Sequence, residues 1–195
     1  MQFQFTEDQR GFQESVRKFL EKECTPAHLR ALWQTETGRA PELWSKLAEI
    51  GVLGLLVPEA HGGLGSSEVD LVLLLEEAGR AALPEPVAET AAVGVPLLAG
   101  LKRKKLGEQW LPKVAAGEAI LTVGHEVNPF VADAHVAHLL LLQRNNEIHA
   151  VPRDQADKLT VAVGQVTGHG QHRCFVPGRP GACPCACACP ARMRM

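Results

Sequence analysis

The sequence predicts an α+β protein: an amino-terminal all-α helical bundle, then a partial antiparallel β domain, then an irregular tail. Three observations predict it. Up to about residue 118, apolar residues recur every three or four positions, the period of a helix with one buried face. From about residue 119 they come in short runs or alternate with polar residues, the grammar of strands and hairpins. After Gly164, Asp, Glu and Lys vanish while Gly, Pro, Cys and Ala accumulate. A helical block followed by a strand block is the α+β order. The chain of 195 residues therefore divides into 1–118, 119–164 and 165–195.

The helical elements follow in order. Thr6 and Gln9 fit a capping box, in which two side chains satisfy free amide groups reciprocally. Behind them Phe12, Val16, Phe19 and Leu20 share one face. Pro26 ends this helix or starts the next. Pro41 suits the first position of a second clear helix, with Leu43, Trp44, Leu47 and Ile50 apolar and Gly51 closing it. A glycine-rich loop runs from Gly54 to Gly65. Ser67 and Asp70 repeat the capping logic ahead of a helix through Leu71, Leu74, Leu75 and Ala78. That helix is apolar on most sides, which predicts a central, buried position. Pro84 and Pro86 stop it. Residues 88–99 and 106–116 read as two further helices, the second carrying Trp110 and Leu111. Trp33, Trp44 and Trp110 read as core residues.

In the β unit, Ala119 to Gly124, His138 to Gln143, Glu147 to Val151 and Leu159 to Val163 read as strands, with a turn at Asn145 and Asn146. The tail has neither period. Its cysteines at 183, 185, 187 and 189 are one residue apart, whereas structural zinc sites use pairs separated by two to four. The tail reads as low-complexity sequence, either disordered or the product of a reading-frame change in GC-rich DNA. Outside it Cys24 stands alone, which fits a reducing compartment.

Composition excludes several classes. The net charge of −2 and the absence of a basic patch argue against nucleic acid as a partner. The run from Lys102 to Lys105 reads as a solvated helix start. No stretch approaches the roughly 20 apolar residues of a membrane helix, and the start lacks the basic and apolar regions of a signal peptide. A soluble, cytoplasmic protein without membrane contact is expected. His135 and His138 lack a third ligand at helical spacing, so no metal site is expected. His125 and Glu126 are adjacent, and neighbours on a strand point to opposite faces, which argues against an acid–base pair. Gly62, Gly63 and Gly65 fit neither a dinucleotide fingerprint nor a P-loop and read as a tight structural turn.

Four passages in a fixed order carry a resemblance. They are the opening Phe3 to Gln9, the Pro58-Glu-x-x-Gly-Gly-Leu-Gly65 loop after Gly54-Leu-Leu, the helix segment Leu75 to Arg80, and Trp110 to Lys113 with Gly117 and Glu118. Together they resemble the acyl-CoA dehydrogenase family, most closely bacterial members, over roughly residues 3 to 163. The resemblance implies FAD as cofactor, an acyl-CoA as substrate, and α,β-desaturation in fatty-acid β-oxidation. It also implies homo- or hetero-oligomers of dehydrogenase subunits. The family's catalytic carboxylate lies in a second helical domain with no counterpart here, so the catalytic residue is unassigned. Gly124 and His125 occupy the place of the family's Thr-Glu-Pro-like turn near the flavin. Phe130, Val131 and Ala132 occupy that of its Trp-Ile-Thr-like segment, without the hydroxyl. These five residues are the cofactor-binding candidates. Little sequence separates the two passages, so a stretch of typical members is missing. The expected function is a dehydrogenase fragment with little or no activity alone. The alternatives are a non-catalytic helical interaction subunit pairing with a complete dehydrogenase, and a helical binding module without flavin.

Overall fold

The first helix, α1 (Glu7–Glu23), begins at the capping box that the sequence predicts. Thr6 Oγ1 accepts from the Gln9 N–H at 3.2 Å, and Gln9 Oε1 accepts from the Thr6 N–H at 2.8 Å. The computed structural model describes residues 4–102, 104–128, 130–145 and 147–156, and the segments 162–164, 173–175 and 192–194. Helix α2 (Pro26–Leu32) starts on Pro26, capped by Thr25, and α3 (Pro41–Glu49) starts on Pro41. Proline suits both starts because a first-turn N–H has no partner within the helix.

A short 3-10 turn at Glu59–His61 precedes α4 (Glu68–Arg80), which has the Ser67–Asp70 capping box. Leu71, Leu73, Leu74 and Glu77 of α4 are buried. Val69 and Val72 are 54% and 53% exposed, so α4 is buried on one side rather than central. The expected helix at 88–99 is split into a π-helical segment (Ala88–Gly94) and α5 (Val95–Gly100). Pro96 in the first turn of α5 has no N–H to continue a regular ladder from the preceding turn. Helix α6 (Lys104–Ala115) carries Pro112 inside it. Trp44 is buried and Trp110 half-buried, but Trp33 is 59% exposed. The last departs from the core position expected of it: α2 ends at Leu32, and Trp33 begins the turn that follows.

The strands are β1 (Leu121–Gly124), β2 (Phe130–Ala132), β3 (Leu139–Arg144), β4 (Glu147–Pro152), β5 (Ala162–Gly164), β6 (Arg173–Phe175) and β7 (Arg192–Arg194). A short helix, α7 (Arg153–Ala156), follows β4. One sheet has the order β1-β3-β4-β7 and the other β2-β6-β5. The expected antiparallel pattern holds for β3–β4, β4–β7, β2–β6 and β5–β6, but β1 and β3 run parallel. Their connection passes through β2 in the other sheet, and a parallel pair needs such a crossover. The predicted fourth strand appears as β5; residues 157–161 lie outside the described residues, as does the cysteine run at 183–189. Two pieces of the tail, β6 and β7, pair with body strands.

Two cores meet at the larger sheet. Leu139 and Leu141 of β3 join Val95, Leu98, Leu111 and Val114 beneath α5 and α6. Leu140 belongs to the other core, which extends through Val131 and Ala134 to Leu43, Leu47 and Leu71 of the bundle. A strand covered on both faces must be apolar at successive positions, which explains the Leu139–Leu142 run.

Candidate functional site at the end of strand β1

Strand β1 lies at the edge of its sheet. The Ile120 carbonyl, just before it, accepts from the N–H groups of His138 at 2.8 Å and Leu139 at 3.3 Å. The Ile120 N–H donates to His138 Nδ1 at 3.0 Å. Burial, with Arg153 nearby, holds the His138 imidazole below its usual pKa, which keeps that nitrogen an acceptor. Even-numbered backbone groups here therefore face β3.

Leu121 faces the opposite way. Its N–H donates to Thr90 Oγ1 at 3.2 Å, and its carbonyl accepts from the same hydroxyl at 2.9 Å. Thr90, fully buried on the π-helical segment, thus takes the place of a neighbouring strand at this peptide. The approach is close: a Cβ on Gly94 would lie 2.9 Å from Leu121 Cβ. By strand alternation the Val123 peptide faces the same open edge as Leu121.

The candidate positions fall into two groups. Gly124, at the end of β1, sits under Val131: a Cβ there would lie 2.7 Å from side-chain carbons of both Val131 and Leu142. Val131 is 2% exposed. The Ala132 carbonyl accepts from Thr122 Oγ1 at 2.5 Å, tying β2 to β1. Phe130 opens β2 by its backbone. His125 lies outside this packed group, at a tight turn in which the Asn128 N–H donates to the His125 carbonyl at 2.9 Å. Its Nδ1 accepts from the Val127 N–H at 3.2 Å. Glu126 Oε2 accepts from the Asn145 N–H at 2.6 Å, fixing the turn to the β3–β4 hairpin.

Sequence reading missed Thr90 and Thr122, the two hydroxyls that lock β1 in place. The available signal was weak: Thr122 is a single polar residue within an apolar run, and Thr90 follows Glu89 in an alanine-rich stretch.

The fold is one found in solved acyl-CoA dehydrogenases. The ChsE4-ChsE5 complex from Mycobacterium tuberculosis superposes with a TM-score of 0.77 at 25% identity, over 91% of this chain and 56% of that chain. A glutaryl-CoA dehydrogenase from Mycobacterium smegmatis, solved in complex with FADH2, gives 0.70 at 16% identity, over 97% and 54%. Residues 6–118 match the family described as acyl-CoA dehydrogenase, N-terminal domain, and the chain belongs to the acyl-CoA dehydrogenase family. Among curated relatives, acyl-CoA dehydrogenase IpdE2 of Mycolicibacterium smegmatis is 33% identical over 138 residues, 70% of this chain and 42% of its own length. The rat mitochondrial long-chain specific acyl-CoA dehydrogenase is 31% identical over 117 residues, 60% of this chain and 27% of its own. The chain thus spans less than half the length of these curated relatives. No helix among the described residues is long and apolar enough to cross a membrane.

Proposed function

We propose that this chain supplies the helical domain and an abridged β unit of an acyl-CoA dehydrogenase, and that it works only with a complete dehydrogenase subunit. In that assembly the reaction is α,β-desaturation of an acyl-CoA thioester in fatty-acid oxidation, with FAD as the hydride acceptor. The chain alone retains no FAD and has little or no dehydrogenase activity.

One observation carries this reading: four of the five positions expected to meet the flavin, Gly124, His125, Val131 and Ala132, are already engaged within the chain. Gly124 and Val131 pack against each other, the Ala132 carbonyl is bonded to Thr122, and His125 Nδ1 is bonded within its own turn. A polar group already satisfied internally must give up that bond before it can serve a ligand, which removes most of the gain. A solved relative described as the ChsE4-ChsE5 complex supports assembly with another subunit. The second reading, a non-catalytic interaction subunit, is favoured by the exposed Val69 and Val72 on α4. We place the domain boundaries at residues 118 and 164, and the protein in a reducing cytoplasm, where its single body cysteine stays a thiol.

The test is co-purification. The chain is expressed alone and with a full-length acyl-CoA dehydrogenase from its own genome, and visible flavin absorbance is recorded on the eluted protein. Flavin and acyl-CoA oxidation confined to the co-purified complex support the reading. Flavin on the chain alone contradicts it. A flavin-containing complex whose turnover equals that of the dehydrogenase without this chain favours the interaction subunit.

A further inference from the structure

Away from β1, two buried carboxyl groups and a half-buried arginine lie where the helical bundle touches the β unit. Glu85, in the turn after α4, is 6% exposed, and its Oε1 accepts from the Ala40 N–H at 2.7 Å. Arg39, beside Ala40, donates through Nη2 to Asp133 Oδ1. Asp133 directly follows β2, is 7% exposed, and has a backbone φ of 54°. Its carbonyl accepts from the N–H groups of Val136 at 3.0 Å and Ala137 at 3.1 Å. The same turn is held to the bundle by His135, whose Nε2 lies 3.0 Å from the Thr37 carbonyl. Arg39 thus bonds Asp133 through its side chain while the next residue, Ala40, bonds Glu85 through its backbone, and the Arg39 Nε is buried without a hydrogen-bond partner among the described residues.

The charges do not balance when both carboxyls are ionised. An ionised Glu85 has no cation bonded to it among the described residues, and burying an unpaired charge is costly. The groups acting on Glu85 are few: Arg39 from the turn before α3, Asp133 from the turn after β2, and the buried Cys24 thiol at the end of α1. Glu23, next to Cys24, is paired with Lys46.

We propose that Glu85, Arg39 and Asp133 form a proton-dependent clasp that fastens the turn after β2 to the helical bundle, closed when Glu85 holds its proton and loosened when Glu85 gives it up. Burial, reinforced by Asp133 and opposed by the Ala40 N–H and Arg39, raises the Glu85 carboxyl from 4.5 to about 7. A raised folded value means that the closed state is favoured below the ordinary carboxylate range, and that this advantage is lost as pH rises to about 7. The clasp borders β2, so it controls how firmly Val131 and Ala132 are held. The inference stands whether or not the chain serves a dehydrogenase.

Amide hydrogen exchange on the full chain tests it, with rates corrected for the intrinsic effect of pH. Protection of Ala40, Val136 and Ala137 is expected to fall about tenfold between about pH 6 and about pH 8, one decade for each unit of proton linkage. In Glu85→Gln, which keeps the acceptor for Ala40 but cannot ionise, protection stays level. In Asp133→Asn, which tolerates the left-handed backbone, the negative charge that disfavours ionised Glu85 is gone and the fall moves to lower pH. The Asp133 variant gives an answer even if Glu85→Gln does not fold. Level protection in the wild type, an undiminished fall in Glu85→Gln, or an unshifted midpoint in Asp133→Asn overturns the clasp.

Discussion

Arg17 grips the buried Glu77 carboxylate with two nitrogens, Nε at 3.1 Å to Oε2 and Nη2 at 2.6 Å to Oε1. Arg80 Nε at 2.7 Å and Gln13 Nε2 at 2.9 Å complete the cage, so α1 and α4 are joined through one side chain. These bonds, led by that from Arg17, hold the Glu77 carboxyl down from 4.5 to about 2. A lowered folded value gives stability that is present above the ordinary carboxylate range and lost as pH falls towards about 2. Glu77→Gln should cost about 2 kcal/mol at neutral pH by denaturant titration, since charge-assisted bonds are replaced while both arginines can still reach water. It should also flatten the acid limb of the thermal midpoint against pH. An acid limb as steep as that of the wild type would assign acid sensitivity elsewhere.

Gly62 and Gly63 stand next to each other in the glycine loop but answer to different constraints. Gly62 has a φ of 81° and open space where a Cβ would go. Gly63 has no such space: a Cβ would lie 2.1 Å from the Val57 carbonyl oxygen, which is backbone and cannot swing aside. Gly62→Ala should cost about 1 kcal/mol, the left-handed penalty. Gly63→Ala should cost about 3 kcal/mol or more, an overpacking penalty that moves main chain. Equal losses in urea titration would contradict this division.

Thr90 is predicted to act through its hydroxyl and not its volume. Thr90→Val leaves the buried Leu121 N–H and carbonyl without their partner and should cost about 3 kcal/mol. Thr90→Ser keeps both bonds and should cost about 1 kcal/mol, the loss of one methyl. Comparable denaturation midpoints for the two variants would show that packing, not the hydroxyl, holds β1 against the π-helical segment.

The legible parts of this fold were local. Both capping boxes and the Pro41 helix start depend on residues a few positions apart, so the sequence pattern contains the whole interaction, while Pro26 marked a boundary without saying which helix it served. The switch from helix to strand grammar near residue 119 was legible for the same reason: one period replaced another. The parallel pairing of β1 with β3 was not, because it depends on where the chain travels between them. Arg39 and Asp133 lie 94 positions apart, and Glu85 and Ala40 lie 45 apart, so no spacing rule links them. At the candidate site, residue types alone could not reveal that Gly124 and Val131 face each other.

The proposed dependence of FAD retention on a complete dehydrogenase subunit is open to one measurement. FAD is titrated at equilibrium, followed by flavin fluorescence, against the chain alone, the complete subunit alone and their complex. No saturable change is expected with the chain alone, and tighter or additional FAD binding is expected in the complex than in the complete subunit by itself. Saturable FAD binding by the isolated chain, or a complex whose FAD binding matches that of the complete subunit in both affinity and stoichiometry, would contradict it.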